Sequence, residues 1–149
     1  MYSFQKHVVL LIGIAGLFPA TAVAKPTGSL RTLVQHHAKA NGVPLKLAEA
    51  VIRLESGYRP GIVHKGNYGL MQIRLGTARA MGFRGIPRNL LIPDQNLRYG
   101  MRYLGNAWRA SGRNVCGTIK RYQTGTGSGR IGRATLRYCA KAKRLMSQR

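Results

Sequence analysis

Acidic residues are almost missing from this chain. Three Asp and Glu stand against 25 Lys and Arg in 149 residues, for a formal net charge of +22. Carboxylates are the ordinary solubilisers of a surface, so Glu49, Glu55 and Asp94 each call for a specific role. Cysteine is scarce as well, with only Cys116 and Cys139. His36, His37 and His64 do not add the spacing that a zinc site needs, so no metal is expected. No apolar run reaches the about 20 residues that cross a bilayer as a helix. The charge asks for an anionic partner or environment, which composition alone does not name.

The start of the chain reads as an export signal. Lys6 and His7 are followed by Val8 to Phe18, eleven uncharged apolar residues, then Pro19 and the small residues Ala22-Val23-Ala24. That pattern predicts a signal peptide over 1–24, cleaved to leave one domain over 25–149. About 125 residues are enough for a single core but not two. Export places the protein in the periplasm or outside the cell, which argues against a nucleic-acid partner. It favours wall-peptide carboxylates, lipopolysaccharide or anionic headgroups as the polyanion. It also makes a Cys116–Cys139 disulfide the expected state of the cysteine pair.

Beyond Lys25 the pattern is helices joined by Gly-rich loops. A first helix carries Leu30, Leu33, Val34 and His37 from a Ser29 cap and stops at Asn41-Gly42. Pro44 opens a second helix running through Ser56. The segment from Gly57 to Ile73 is a loop with a small irregular or hairpin element, and a short helix lies around Thr77 to Met81. Leu97, Met101, Leu104 and Trp108 form one helical stripe behind Asp94, which reads as an N-cap or first-turn acid. Asn114 starts a helix through Tyr122, and a basic helix runs from about Arg133 to Met146. The class is mainly α, with at most a small β element.

On the second helix, Ala48, Val51, Ile52 and Glu55 follow the i, i+3, i+4, i+7 rule, so Glu55 ends the core-facing stripe. Glu49 points about 120° away and is expected to pair with Arg53 on the surface. A carboxyl among apolar neighbours at a helix C-terminus has its charged form disfavoured, which is the tuning a general acid needs. The plainer alternative is a Glu satisfied by a backbone N–H or by an arginine.

The residues after Glu55 weigh in favour of chemistry. Glu55-Ser56-Gly57-Tyr58, Arg59-Pro60, Gly69-Leu70-Met71-Gln72-Ile73 and Thr77-Ala78 resemble the soluble lytic transglycosylase domain of bacterial cell-wall enzymes. A second block, Pro93, Asn96, Gly100, Tyr103 and Leu104, is similar to its Pro-x-x-Asn-x-x-x-Gly-x-x-Tyr-Leu segment, and Tyr122 and Gly125 match a third. The likeness spans about Leu45 to Gly125. There are departures. The loop between Pro60 and Gly66 is one residue short, His64 stands where Ser is common, and Ile92 where Asp is frequent. Only Tyr122 and Gly125 of the third block are kept.

The resemblance implies a lysozyme-like α fold and cleavage of the β-1,4 bond between N-acetylmuramic acid and N-acetylglucosamine in peptidoglycan. Glu55 would be the catalytic acid, then base, closing a 1,6-anhydro ring without water or any cofactor. Ser56 and Gln72 would hold the sugar or Glu55, Met71 would line the cleft, and Tyr122 would lie near the acid. Two other readings are a hydrolytic muramidase on the same fold and an inactive cationic wall-binding scaffold. The expected partner is the glycan strand, met by a monomer. Analogy with small relatives adds a secretion, flagellar or pilus apparatus. Gly127-Ser128-Gly129-Arg130-Ile131-Gly132 spells a dinucleotide-binding pattern without the strand or acidic residue it needs. It reads instead as a cleft-side loop whose Arg130 and Arg133 meet peptide carboxylates.

Overall fold

Six α-helices and a three-stranded antiparallel sheet make up the protein, in a computed structural model that describes residues 30–125 and 129–148. The expected signal peptide over 1–24 and the Ser29 cap lie outside those residues, as do Gly127 and Ser128. The helices are α1 (Leu30–Ala40), α2 (Leu45–Ser56), α3 (Leu75–Ala80), α4 (Pro93–Ala110), α5 (Val115–Thr124) and α6 (Arg133–Ser147). The mainly α expectation holds, and each helix predicted from periodicity is present.

Helix α4 is the central element, packing on α1 and α5, while α2 packs on α1 and α6. Its stripe behaves as the spacing requires: Leu97, Met101 and Leu104 are fully buried, and Trp108 covers the same cluster from the edge. Val51, Ile52, Leu47 and Ala48 of α2 meet them there. Burying such side chains contributes about 1.5–3 kcal/mol each. Pro44 stands just outside α2 at its N-cap, with φ −56°. Asn114 caps α5 by accepting from the Gly117 N–H at 2.9 Å, the role its residue type favours.

Asp94 lies in the first turn of α4, behind Pro93, and does not cap it; the N-cap position belongs to Ile92, which has no side-chain cap. The dipole argument for a first-turn acid stands. Its carboxylate also reaches sideways, 2.8 Å from the buried His37 Nε2 of α1 and 3.6 Å from Arg98. Glu49 is a correction to the expected Arg53 pair: its ion-pair partner is Arg31 of α1, at 3.9 Å. Helix packing brings α1 alongside, and the cross-helix arginine takes the contact.

The small β element is a meander of β1 (Val63–His64), β2 (Asn67–Tyr68) and β3 (Ile73–Arg74). His64 opposes Asn67, and Asn67 opposes Arg74. Lys65 and Gly66 between β1 and β2 both have positive φ, 48° and 75°, as a two-residue type I′ hairpin turn demands. Cys116 of α5 and Cys139 of α6 form the expected disulfide. Closing that 23-residue separation stabilises the fold by about 3 kcal/mol in the chain-entropy picture.

Candidate active site

Glu55 opens into a cleft of about 660 Å³ whose walls come from the end of α2, the sheet, α3, α4 and the end of α5. It is the one carboxylate among the residues lining that cleft. Among the described residues neither an arginine nor a backbone N–H holds it, and Tyr138 of α6 donates its hydroxyl to Oε1 at 2.8 Å. The second oxygen makes no hydrogen bond among the described residues. Burial raises the Glu55 pKa above the usual carboxylate value, and the Tyr138 hydrogen bond opposes part of that rise. Desolvation wins because one neutral hydroxyl replaces only part of the lost hydration. Burial likewise pushes the Tyr138 phenol far up, helped by the Glu55 charge. Tyr138 is therefore a fixed donor over the ordinary pH range.

Glu55 lies at the very end of α2, beside the helix's partial negative pole, which disfavours its ionised form further. Arg59 folds back to donate from Nε to the Ser56 carbonyl at 2.9 Å. That satisfies an end carbonyl of the helix and sets the Arg59 side chain in the cleft wall.

Gln72 reaches the cleft from the end of the turn Gly69–Gln72, and α4 holds that turn in place. Asn96 is fully buried. Its amide donates to the carbonyls of Tyr68 at 2.8 Å and Leu90 at 2.7 Å. Its oxygen accepts from the Met71 N–H at 2.8 Å. The approach is so close that a Cβ on Gly69 would lie 2.5 Å from both Asn96 Nδ2 and Leu90 O, and Gly69 also has φ +68°.

Gln72 lines the cleft. Its backbone adopts φ +44°, a conformation that costs a non-glycine residue energy. Its side-chain nitrogen donates to Gly69 O at 2.9 Å and Ile62 O at 3.2 Å. These bonds fold the side chain back onto its own turn.

Tyr122 also lines the cleft. Its hydroxyl donates to the Met71 carbonyl at 2.6 Å, and burial with the nearby Glu55 charge raises its pKa well above the phenol value. Tyr103 packs against it at 5.2 Å between ring centroids and donates to the carbonyls of Arg121 and Tyr122. Thus α4 ties down the end of α5 as it ties down the Gly69–Gln72 turn.

Two expected cleft residues are elsewhere. The Met71 side chain is fully buried in the core against Gly100, where a Cβ would lie 2.5 Å from its sulfur. Only its backbone serves the site. Ser56 is buried too, with its hydroxyl donating to Ile52 O at 3.1 Å one turn back along α2. Sequence reasoning missed Tyr138. The signal available was that it is the sole aromatic of the basic last helix and precedes a disulfide cysteine. Arg130 and Arg133 are exposed and absent from the cleft lining. No group of three or more potential metal ligands occurs among the described residues.

Comparison with known proteins bears on the family and the fold. Residues 32–146 match the family model of the transglycosylase SLT domain. The endo-type membrane-bound lytic murein transglycosylase A of Enterobacter sp. (strain 638) is 42% identical over 74 residues, covering 44% of this chain and 36% of that protein. The protein of the same name from Cronobacter sakazakii is 42% identical over 71 residues, covering 42% and 35%. The chain thus spans about a third of the length of these curated relatives.

Among solved structures, an inactive mutant of the lytic transglycosylase Slt from Pseudomonas aeruginosa superposes with a TM-score of 0.71 at 21% identity. The match covers 78% of this chain and 23% of that one. The 70-kDa soluble lytic transglycosylase in complex with bulgecin A gives 0.61 at 25% identity, over 74% of this chain and 18% of that one. The lysozyme-like helical fold is therefore shared.

Proposed function

Since the chain belongs to the transglycosylase SLT domain family, we propose that it is a peptidoglycan lytic transglycosylase in which Glu55 is the sole general acid and base. The observation that carries this reading is the count of carboxylates at the cleft. Glycosidases usually place two acids across the scissile bond. Here Glu49 is engaged with Arg31 in a different pocket, and Asp94 is held by His37 and Arg98 on α4. Only Glu55 lines the cleft.

The raised pKa of Glu55 keeps its carboxyl protonated to higher pH than an exposed glutamate. It gives that proton to the glycosidic oxygen between N-acetylmuramic acid and N-acetylglucosamine as the C1–O bond breaks. The N-acetyl group of the muramic sugar supports the electron-poor C1. Glu55, now a carboxylate, takes the proton of the sugar's own 6-hydroxyl as its oxygen bonds to C1. A 1,6-anhydro ring forms, water is not consumed, and Glu55 regains its proton. The Tyr138 hydroxyl steadies the carboxylate between the two transfers and is a positioning residue.

The same reading places the protein in the periplasm, following the expected signal peptide. No described helix is long and apolar enough to cross a membrane.

Digestion of purified peptidoglycan followed by mass spectrometry of the fragments tests the reaction. Anhydro ends, lighter by one water than reducing ends, are expected from wild type, and no release from Glu55→Gln. Reducing ends would replace the proposal with a hydrolytic muramidase, and no lysis by wild type would leave a wall-binding scaffold.

A further inference from the structure

The sheet delivers one row of side chains to the cleft. His64, Asn67 and Arg74 are opposed across three strands, and directly opposed residues of an antiparallel sheet project from the same face, with Cβ atoms about 5 Å apart. All three line the cleft that holds Glu55. His64 and Arg74 are exposed, and neither belongs to an ion pair among the described residues. Arg74 is braced through Nε to Asn67 Oδ1 at 3.4 Å, so its terminal nitrogens remain available to a ligand.

Arg59, anchored through its own Nε to the α2 terminus, lines the same cleft. Two guanidinium groups and an imidazole therefore face a space with one acid. An uncharged sugar chain can accept hydrogen bonds from these groups but has no charge to match theirs. The peptide arm carried by each muramic acid has carboxylates, and the guanidinium fork matches a carboxylate with two parallel hydrogen bonds.

We propose that the His64–Asn67–Arg74 row, with Arg59 beside it, is a subsite for a carboxylate of the peptide arm, so that the protein prefers glycan bearing charged stems. The proposal rests on the peptidoglycan reading above. It differs from a general attraction of a +22 chain for an anionic wall, because it assigns the preference to particular side chains.

The test compares peptidoglycan with free stem carboxylates against the same material chemically amidated. Each is offered to wild type, to Arg74→Gln/His64→Gln, and to a control on α6 with the same loss of one formal charge, Lys141→Gln. Wild type is expected to show a KM roughly tenfold lower on the free-carboxylate material, the effect of one charge-assisted hydrogen bond in a partly solvated site. The cleft variant is expected to lose that ratio, and the control to keep it.

Equal KM values for wild type on both materials would overturn the subsite. So would a control that loses the ratio as fully as the cleft variant. Co-sedimentation of each protein with the same two preparations reads the ratio without turnover. A wild type that binds selectively yet releases no fragments would fault the lytic reading and leave the subsite supported.

Discussion

Changing Asn96 to Asp alters one atom group and tests how the site is held. The two side chains have the same shape, so no cavity opens. The acceptor bond from the Met71 N–H at 2.8 Å survives. Both donor bonds, to Leu90 O at 2.7 Å and Tyr68 O at 2.8 Å, lose their hydrogens. A carboxylate there would set an anionic oxygen against two carbonyls in a fully buried place, so the folded state keeps the introduced carboxyl protonated.

Protonated, it donates to one carbonyl and leaves the other without a partner, at a cost of about 1–3 kcal/mol. Above pH ~4, where an unfolded aspartate ionises, folding must take up a proton. The penalty then grows by about 1.4 kcal/mol per pH unit. Relative to wild type, the variant is expected to be about 1–3 kcal/mol less stable at pH ~4 and about 2.7 kcal/mol worse again by pH ~6. Urea unfolding of both proteins across that range measures the difference. A ΔΔG that stays flat between those pH values would refute the placement of Asn96 between the two carbonyls.

Glu55→Gln should be more stable than wild type at neutral pH. The folded-state pKa of Glu55 lies above its ordinary value, so wild-type stability is fully present below the unfolded pKa and falls as pH rises through the folded one. A Tm difference that opens with rising pH in that window, and vanishes below about pH 4, is the expected signature. Tyr138→Phe removes the hydrogen bond that lowers the Glu55 pKa. Lysis should fall about tenfold, with its alkaline limb displaced to higher pH; an unmoved limb would argue against the contact. Cys116→Ser/Cys139→Ser should cost about 3 kcal/mol in denaturant unfolding, and an unchanged midpoint would show that the bridge does not constrain the unfolded chain. Lys65→Asn suits the left-handed turn position at φ +48° and should raise stability by about 0.5–1 kcal/mol; a lower Tm would count against the I′ assignment.

What could be read from the sequence follows the range of the interactions involved. Helix α4 was legible because its period is local, and Glu55 was legible because it ends a stripe of the same kind. Gln72 and Tyr122 came from matched blocks and do line the cleft. Tyr138 was not visible, since it meets Glu55 across 83 residues and its helix shows a basic pattern that hides one polar contact. Met71 misled for a related reason. Its block adjoins the cleft, but a missing side chain at Gly100 makes a recess in α4 that takes the thioether inward. Glu49 was assigned by spacing within one helix, whereas a neighbouring helix supplied its arginine. The row from His64 to Arg74 was hidden because strands of two residues carry no readable alternation.

The clamp on Gly69–Gln72 has a bearing on how this site can be remodelled. Asn96 fixes the turn from behind, at Tyr68 O and Met71 N, and the preceding hairpin adds the Ile62 carbonyl, which accepts from the Gly69 N–H at 2.8 Å and from Gln72 Nε2 at 3.2 Å. Within the ribbon from Gly61 to Asn67 those two bonds use a backbone carbonyl and no side chain. Side chains such as that of His64 can therefore be exchanged there while the turn that carries Gln72 keeps its place. On the proposed reading, chemistry and selectivity thus rest on different side chains, and one can be re-engineered without dismantling the other.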